Sequence, residues 1–146
     1  MPFTVLHMDS LTAHERSERM GRIKGKNTKP EMFVRRLTHR MGYRYRLHGK
    51  ELPGHPDLVF AGRKKVIFVH GCFWHRHENC RLARLPKSRL DFWASKLEQN
   101  KARDEATMRA LADKGWKVLV IWECELRDPE QLELRIRTFL EETGDE

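Results

Sequence analysis

Apolar residues recur along the chain with two different periods, and the switch between them predicts helices alternating with strands. After Thr28, the positions Phe33, Val34, Leu37 and Met41 mark one helical face. Thr28 can cap the first turn, Pro30 tolerates losing its N–H there, Glu31 occupies the reciprocal position of a capping box, and Gly42 ends the helix. Alternation over residues 43–47 predicts a short strand. Residues 57–61 and 65–70 read as two more, joined by a turn at Gly62 and Arg63. Residues 89–114 form a long helix, closed by Gly115, in which Leu90, Trp93 and Leu97 share a face. The apolar run at 117–123 predicts a strand buried on both faces. Asp128 and Pro129 open a last helix carrying Leu132, Ile136, Phe139 and Leu140.

Upstream, residues 13–24 are helix-compatible but almost entirely polar, with Met20 among them. Such a helix lies in solvent or on a partner. Residues 1–13 carry no period and read as a flexible lead. The predicted order is α-α-β-β-β-α-β-α, an α/β domain over residues 14–146 with a mixed sheet flanked by helices.

Composition narrows the partners. The 29 Lys and Arg outnumber the 21 Asp and Glu, for a formal charge of +8. A polyanion suits that balance, since each cation that meets a phosphate releases counterions. Other basic domains share it, so charge admits nucleic acid without requiring it. No apolar run approaches the roughly 18–20 residues of a membrane span, and the first residues lack the pattern of a secretory signal. A cytoplasmic protein without membrane association is expected. Its three cysteines cannot all pair within the chain. In a reducing compartment, clustered Cys and His are better explained by a metal.

Such a cluster is present. Cys72, His77 and Cys80 are spaced so that one loop can wrap an ion, and Cys124 can close the site from the end of the following strand. Three thiolates and an imidazole form a closed tetrahedral zinc set, with no position open for water, so this zinc would be structural. His75 could supply the nitrogen instead of His77. His77 is preferred because His75 directly follows two aromatics and looks placed for chemistry.

Asp57 opens one strand and His70 ends the next, the layout of a hairpin in which a carboxylate grips a hard cation such as magnesium. That ion would polarise a phosphate and activate water, with His75 or His70 as the base. An isolated Pro-Asp pair is weak evidence, because it is also an ordinary start to a strand. Phe73 and Trp74 strengthen the case. Two large aromatics in a loop can cover the core, or can wedge between bases and kink DNA. Trp93 and Met20 are further candidates for that wedge.

The segments HPDLVF, KVIFVHGCFWHRHENC, SRLDFWASKLEQNKARD and LADKGWKVLVIWECEL together resemble the very-short-patch repair (Vsr) endonucleases, from about Ser17 to Arg127. The resemblance implies a restriction-endonuclease-like core that nicks 5′ of the T in a T:G mismatch left by deamination of 5-methylcytosine. By position, Asp57 and the backbone carbonyl of Val69 would hold magnesium, and His75 would activate water. His70 would assist near the scissile phosphate, and Glu31 would orient His75 or hold metal-bound water. Cys72, His77, Cys80 and Cys124 match the structural zinc set. Phe73, Trp74 and Trp93 match aromatics that intercalate from the major groove, and Met20 a residue inserted from the minor groove. The implied partners are duplex DNA with a T:G mismatch and mismatch-repair proteins. A single mismatch is asymmetric, so a monomer is expected.

The chain departs from that pattern in places. Val69 stands where some relatives carry a hydroxyl, and one residue more separates His77 from Cys80. The second acid and lysine of an ordinary restriction-enzyme motif are missing from residues 69–71. Two rival readings are a zinc-stabilised DNA-binding module without catalysis and a double-strand restriction endonuclease.

Overall fold

The computed structural model describes residues 28–142. The expected lead over residues 1–13, the polar helix at 13–24 and Met20 lie outside them. In chain order the described elements are helix α1 (Lys29–Arg40), strands β1 (Arg46–Leu47), β2 (Leu58–Phe60) and β3 (Lys65–His70), helix α2 (Leu90–Asp113), strand β4 (Lys117–Trp122) and helix α3 (Pro129–Glu141). One mixed sheet has the order β1-β2-β3-β4. The first two pairings are antiparallel and β3–β4 is parallel. A parallel pair needs a crossover, which α2 supplies.

The period-2 alternation divides the apolar residues between two cores. Leu58, Phe60, Ile67, Leu119 and Ile121 face α1 and α3, packing with Val34, Leu37, Leu132, Ile136, Phe139 and Leu140. Val59, Val66 and Phe68 point the other way, onto Leu111 and Met108 of α2. The caps form at the expected places. Thr28 Oγ1 accepts from the Glu31 N–H, and Asp128 Oδ1 accepts from the Gln131 N–H.

Several elements differ from the sequence reading. The strand expected at 43–47 is reduced to Arg46–Leu47, because only those residues reach a partner on β2. Tyr45 packs edge-on to Phe60, and its hydroxyl donates to the Arg35 carbonyl. The strand expected at 57–61 spans only Leu58–Phe60 and runs into a single 3-10 turn at Ala61–Arg63, which ends with Lys64 in the left-handed region (φ 55°). On β4, Leu119 and Ile121 are buried, whereas Val118, Val120 and Trp122 on the α2 side are half-buried, so its two faces are unequal. On α2 the shared face stops short: Leu97 is buried and Trp93 half-buried, but Leu90 is 48% exposed.

Lys65, at the head of β3, is buried. Its Nζ donates to the carbonyls of Phe139 (2.6 Å), Leu140 (3.3 Å) and Glu142 (2.7 Å). Arg63 adds a bond to the Leu140 carbonyl at 2.8 Å. The last carbonyls of a helix have no intrahelical donor and carry the negative end of its dipole, so a cation is well placed there. Lys65→Met should therefore lower the unfolding free energy by about 1–3 kcal/mol, the worth of hydrogen bonds from a charged donor. Urea titration checks this, and an unchanged midpoint would mean that water serves these carbonyls equally well.

Candidate active site

The sheet brings the site together. Antiparallel pairing sets the start of β2 beside the end of β3, so Asp57 reaches Val69, whose N–H donates to Asp57 Oδ2 at 2.7 Å. Parallel pairing sets His70 beside Trp122, at matching ends of β3 and β4. Open α/β sheets commonly place ligands beyond the carboxyl ends of their strands. Here a cleft of about 840 Å³ opens at that end, and Glu31, His48, Asp57, His70, His75 and Asp104 all line it.

Two side-chain clusters share this cleft. In one, Glu31, His48 and Asp57 bring their ligand atoms within 4.8 Å of one another. Glu31 is 1% exposed. Its carboxylate lies 2.6 Å from His48 Nε2 and 3.5 Å from Arg35 Nη1. The residue expected to complete a capping box therefore turns its side chain into the cleft. Burial raises the Asp57 pKa to about 6; the Val69 N–H opposes the rise, Glu31 adds to it, and His48 and His75 counter it.

The second cluster is His70, His75 and Asp104. The imidazoles of His70 and His75 stack at 3.8 Å, nearly parallel, and His70 also meets the Trp122 ring edge. His70 is buried, and its Nδ1 has no hydrogen-bond partner among the described residues. Burial, with His75 beside it and Asp104 opposing, pushes the His70 pKa down to about 3. His70 is thus a neutral ring at physiological pH. His75 is half-buried, and its Nδ1 faces Asp104 Oδ2 at 2.5 Å.

Asp104 and His48 were not singled out by the sequence reading. Asp104 lies within a stretch that carries the family resemblance, yet on a helix it resembles any solvated acid. The signal is the inward stripe of α2, where Leu97, Asn100, Asp104 and Leu111 follow helical spacing. Asn100 is buried and its side chain donates to the Trp74 carbonyl at 3.3 Å. One turn later Asp104 holds His75, so a single helix face pins two successive residues of the loop.

The loop's other support is the Cys/His cluster. Cys72, His77, Cys80 and Cys124 bring their ligand atoms within 4.8 Å of one another, while His75 belongs to the cluster with His70 and Asp104. His77 Nδ1 is 3.5 Å from Cys124 Sγ, and its ring stacks on Trp122 at 4.2 Å. Burial pushes the Cys72 thiol up to about 12, with the thiols of Cys80 and Cys124 adding to the rise. Crowded thiols of this kind suit a cation that takes the place of their protons. Three sulfurs and one imidazole fit zinc.

Phe73, Trp74 and Trp93 form a half-buried aromatic group, with ring centroids 5.1–6.0 Å apart and all pairs tilted edge-on. Phe92 extends it, 45% exposed, with the Arg89 guanidinium 4.5 Å above its ring.

Cys124→Ala should remove one corner of the Cys/His cluster. Bound zinc, measured by metal analysis, should fall from one equivalent toward none, with a sharp drop in melting temperature. Full stability without metal would show that the cluster does not support the fold.

Comparison with known proteins identifies the chain's relatives. A family model described as DNA mismatch endonuclease Vsr matches residues 8–81. The chain is 53% identical over 133 residues to the type II nicking enzyme V.XorIIP of Xanthomonas oryzae, covering 91% of this chain and 97% of that one. It is 40% identical over 137 residues to the type II nicking enzyme V.NmeAIP of Neisseria meningitidis, covering 94% and 97%. It is 40% identical over 117 residues to the DNA mismatch endonuclease Vsr of Escherichia coli, covering 80% and 74%. With its mixed sheet, its paired clusters and these relatives, the chain belongs to the Vsr family of DNA mismatch endonucleases.

Proposed function

We propose that the protein nicks one strand of duplex DNA 5′ of the T in a T:G mismatch, in the repair of deaminated 5-methylcytosine. The observation that carries this reading is the joining of Asp57 and the His75–Asp104 pair in one cleft, next to an aromatic group. The fold would be the restriction-endonuclease-like core, with residues 14–146 acting as one unit. Relatives named as nicking enzymes favour a single-strand cut over a binding module or a double-strand cutter.

In this reading Asp57 and the Val69 carbonyl hold a magnesium ion. When bound, magnesium supplies charge neutralisation for the phosphodiester and acidifies an attacking water. Within a strand, the N–H and C=O of one residue leave the same edge. The Val69 N–H faces Asp57, so its carbonyl is suited to join that carboxylate. His75 is the base: Asp104 holds Nδ1 as the N–H, which leaves Nε2 to accept the proton from water, and the Asp104 carboxylate then stabilises the imidazolium. His70, kept neutral by burial, packs against the His75 ring and assists near the phosphate. Glu31 orients His75 or holds metal-bound water. Cys72, His77, Cys80 and Cys124 hold a structural zinc. Phe73, Trp74 and Trp93 wedge beside the mismatch from the major groove, and Met20 enters from the minor groove. The protein acts as a monomer in the cytoplasm, with mismatch-repair proteins as its partners. Among the described residues no helix is long and apolar enough to cross a membrane.

A duplex with one T:G pair in a methylase-type context, each strand labelled separately, tests the reading. With magnesium, one nick on the T strand is expected. Two cuts on matched duplex would favour a restriction enzyme, and tight binding without cleavage would favour a binding module.

Asp57→Asn should bind DNA but not cut it. The same variant should be more stable without metal. The Asp57 pKa is raised from 3.8 to about 6, so the fold favours the protonated acid. That contribution is complete below pH 3.8 and is lost as pH rises through 6. At pH 8 Asn removes the cost of a buried charge, and the melting temperature should rise by roughly 2–8 °C; a fall would refute the burial argument. His75→Ala should slow single-turnover nicking by about 10²–10⁴-fold. Asp104→Asn should slow it less while sparing DNA affinity, and a wild-type rate for Asp104→Asn would exclude its pairing with the base.

A further inference from the structure

We infer that His48 gives an imidazole nitrogen to the cation held beside Asp57, so that the site takes manganese more readily than an all-oxygen site would. The inference rests on the metal-dependent reading above and extends it to a residue outside the expected ligand set.

The backbone sets His48 opposite Asp57. β1 ends at Leu47, and the next two N–H groups continue the hairpin: His48 donates to the Asp57 carbonyl at 3.1 Å and Gly49 to the Pro56 carbonyl at 3.0 Å. His48 itself has φ 50°, the left-handed region that non-glycine residues seldom adopt. Gly49 is pressed so closely on β2 that an added Cβ would lie 2.8 Å from Val59. The turn has no slack, and it aims Nε2 at Glu31 Oε2, 2.6 Å away. Residues held off the common backbone regions collect at functional sites, where the surroundings fix them in place.

The chemistry of the cluster points the same way. Glu31 and Asp57 bring two carboxylates within 4.8 Å of each other in the cleft, where like charges repel. A divalent cation between them relieves both. The third donor within 4.8 Å is a nitrogen. Magnesium demands oxygen ligands in near-ideal octahedral geometry. A mixed carboxylate–imidazole set tilts the preference toward first-row divalent ions, of which manganese sits nearest to magnesium in its taste for oxygen. The cleft thus has one cluster suited to a cation and another, His70–His75–Asp104, suited to a proton.

A structural alternative makes His48 only the hydrogen-bonding partner of Glu31, and manganese spectroscopy separates the two. In full-length wild-type protein loaded with Mn2+, pulsed EPR should show ¹⁴N modulation from a directly bound imidazole. His48→Gln, which retains a hydrogen-bond donor, should lose that modulation and bind Mn2+ at least about tenfold more weakly, with Mg2+ affinity changed by less. His75→Gln should keep the modulation. A wild-type protein that binds Mn2+ without nitrogen modulation overturns the inference, whether or not the variant folds. So does a His48→Gln protein that keeps the signal or weakens both ions equally. Strand-specific nicking by the wild type in Mg2+ is scored separately: if it persists, only the ligand assignment fails, and if it is absent, the proposed function fails first.

Discussion

Four side chains, Cys72, His77, Cys80 and Cys124, draw the loop after β3 against the end of β4, and the positions of His75, Phe73 and Trp74 follow from that. The segment between them has little regular structure, and Arg76 and Asn79 sit at positive φ. Ordering a chain costs about 1–2 kcal/mol per residue in backbone entropy alone, and this loop has few apolar side chains to offset it. A cation on the cluster would supply the missing constraint at both ends, since Cys72 and His77 bracket four residues, of which Trp74 and His75 line the cleft. Asn100 and Asp104 supply it in the middle, from a helix that the sheet already holds. The segment carrying Trp74 and His75 is thus held from two independent directions.

The same arrangement explains why two kinds of titration behaviour coexist in one cleft. Asp57 is buried enough to resist ionising, and His70 enough to resist protonating. Both shifts follow from burial at the strand ends: His70 stays neutral, whereas Asp57 carries its charge above about pH 6 at an energetic cost. Asp104 approaches His75 from the less buried α2 side. The site carries an energetic cost in the resting protein, a familiar consequence of arranging groups for chemistry rather than for stability.

Much of the fold could be read from the chain. α1 and α3 announce themselves through Thr28–Pro30 and Asp128–Pro129, where cap chemistry and apolar spacing agree, and β3 and β4 through runs of β-branched residues. β1 could not be sized, because its length depends on how far β2 extends alongside it. In the site, Asp57, His70, His75 and the four cluster residues were visible as motif residues close in sequence. Asp104 and His48 were not. Each is an ordinary polar residue whose meaning comes from a partner 29 or 17 positions away. Lys65 is hidden for the same reason, since a lysine at a strand start reads as solvated until a helix end is brought to it.

Val69 shows why one departure from the family pattern need not impair the site. Its side chain alternates with its backbone groups: the isopropyl packs against the core shared by α1 and α3, and the N–H points to Asp57. A hydroxyl in this position would add a contact, but the edge of β3 that faces the carboxylate consists of main chain. That edge is fixed by the ladder, in which Val69 is paired with Ile121 and His70 with Trp122. A group offered by the backbone survives substitution of the side chain that carries it, provided the strand stays in register. Register is secured by the strict division of Leu58, Phe60 and Ile67 from Val59, Val66 and Phe68 between two cores. The packing of the sheet thus keeps the main-chain edge of Val69 beside Asp57 with valine in place, whereas a shift of one residue would remove it.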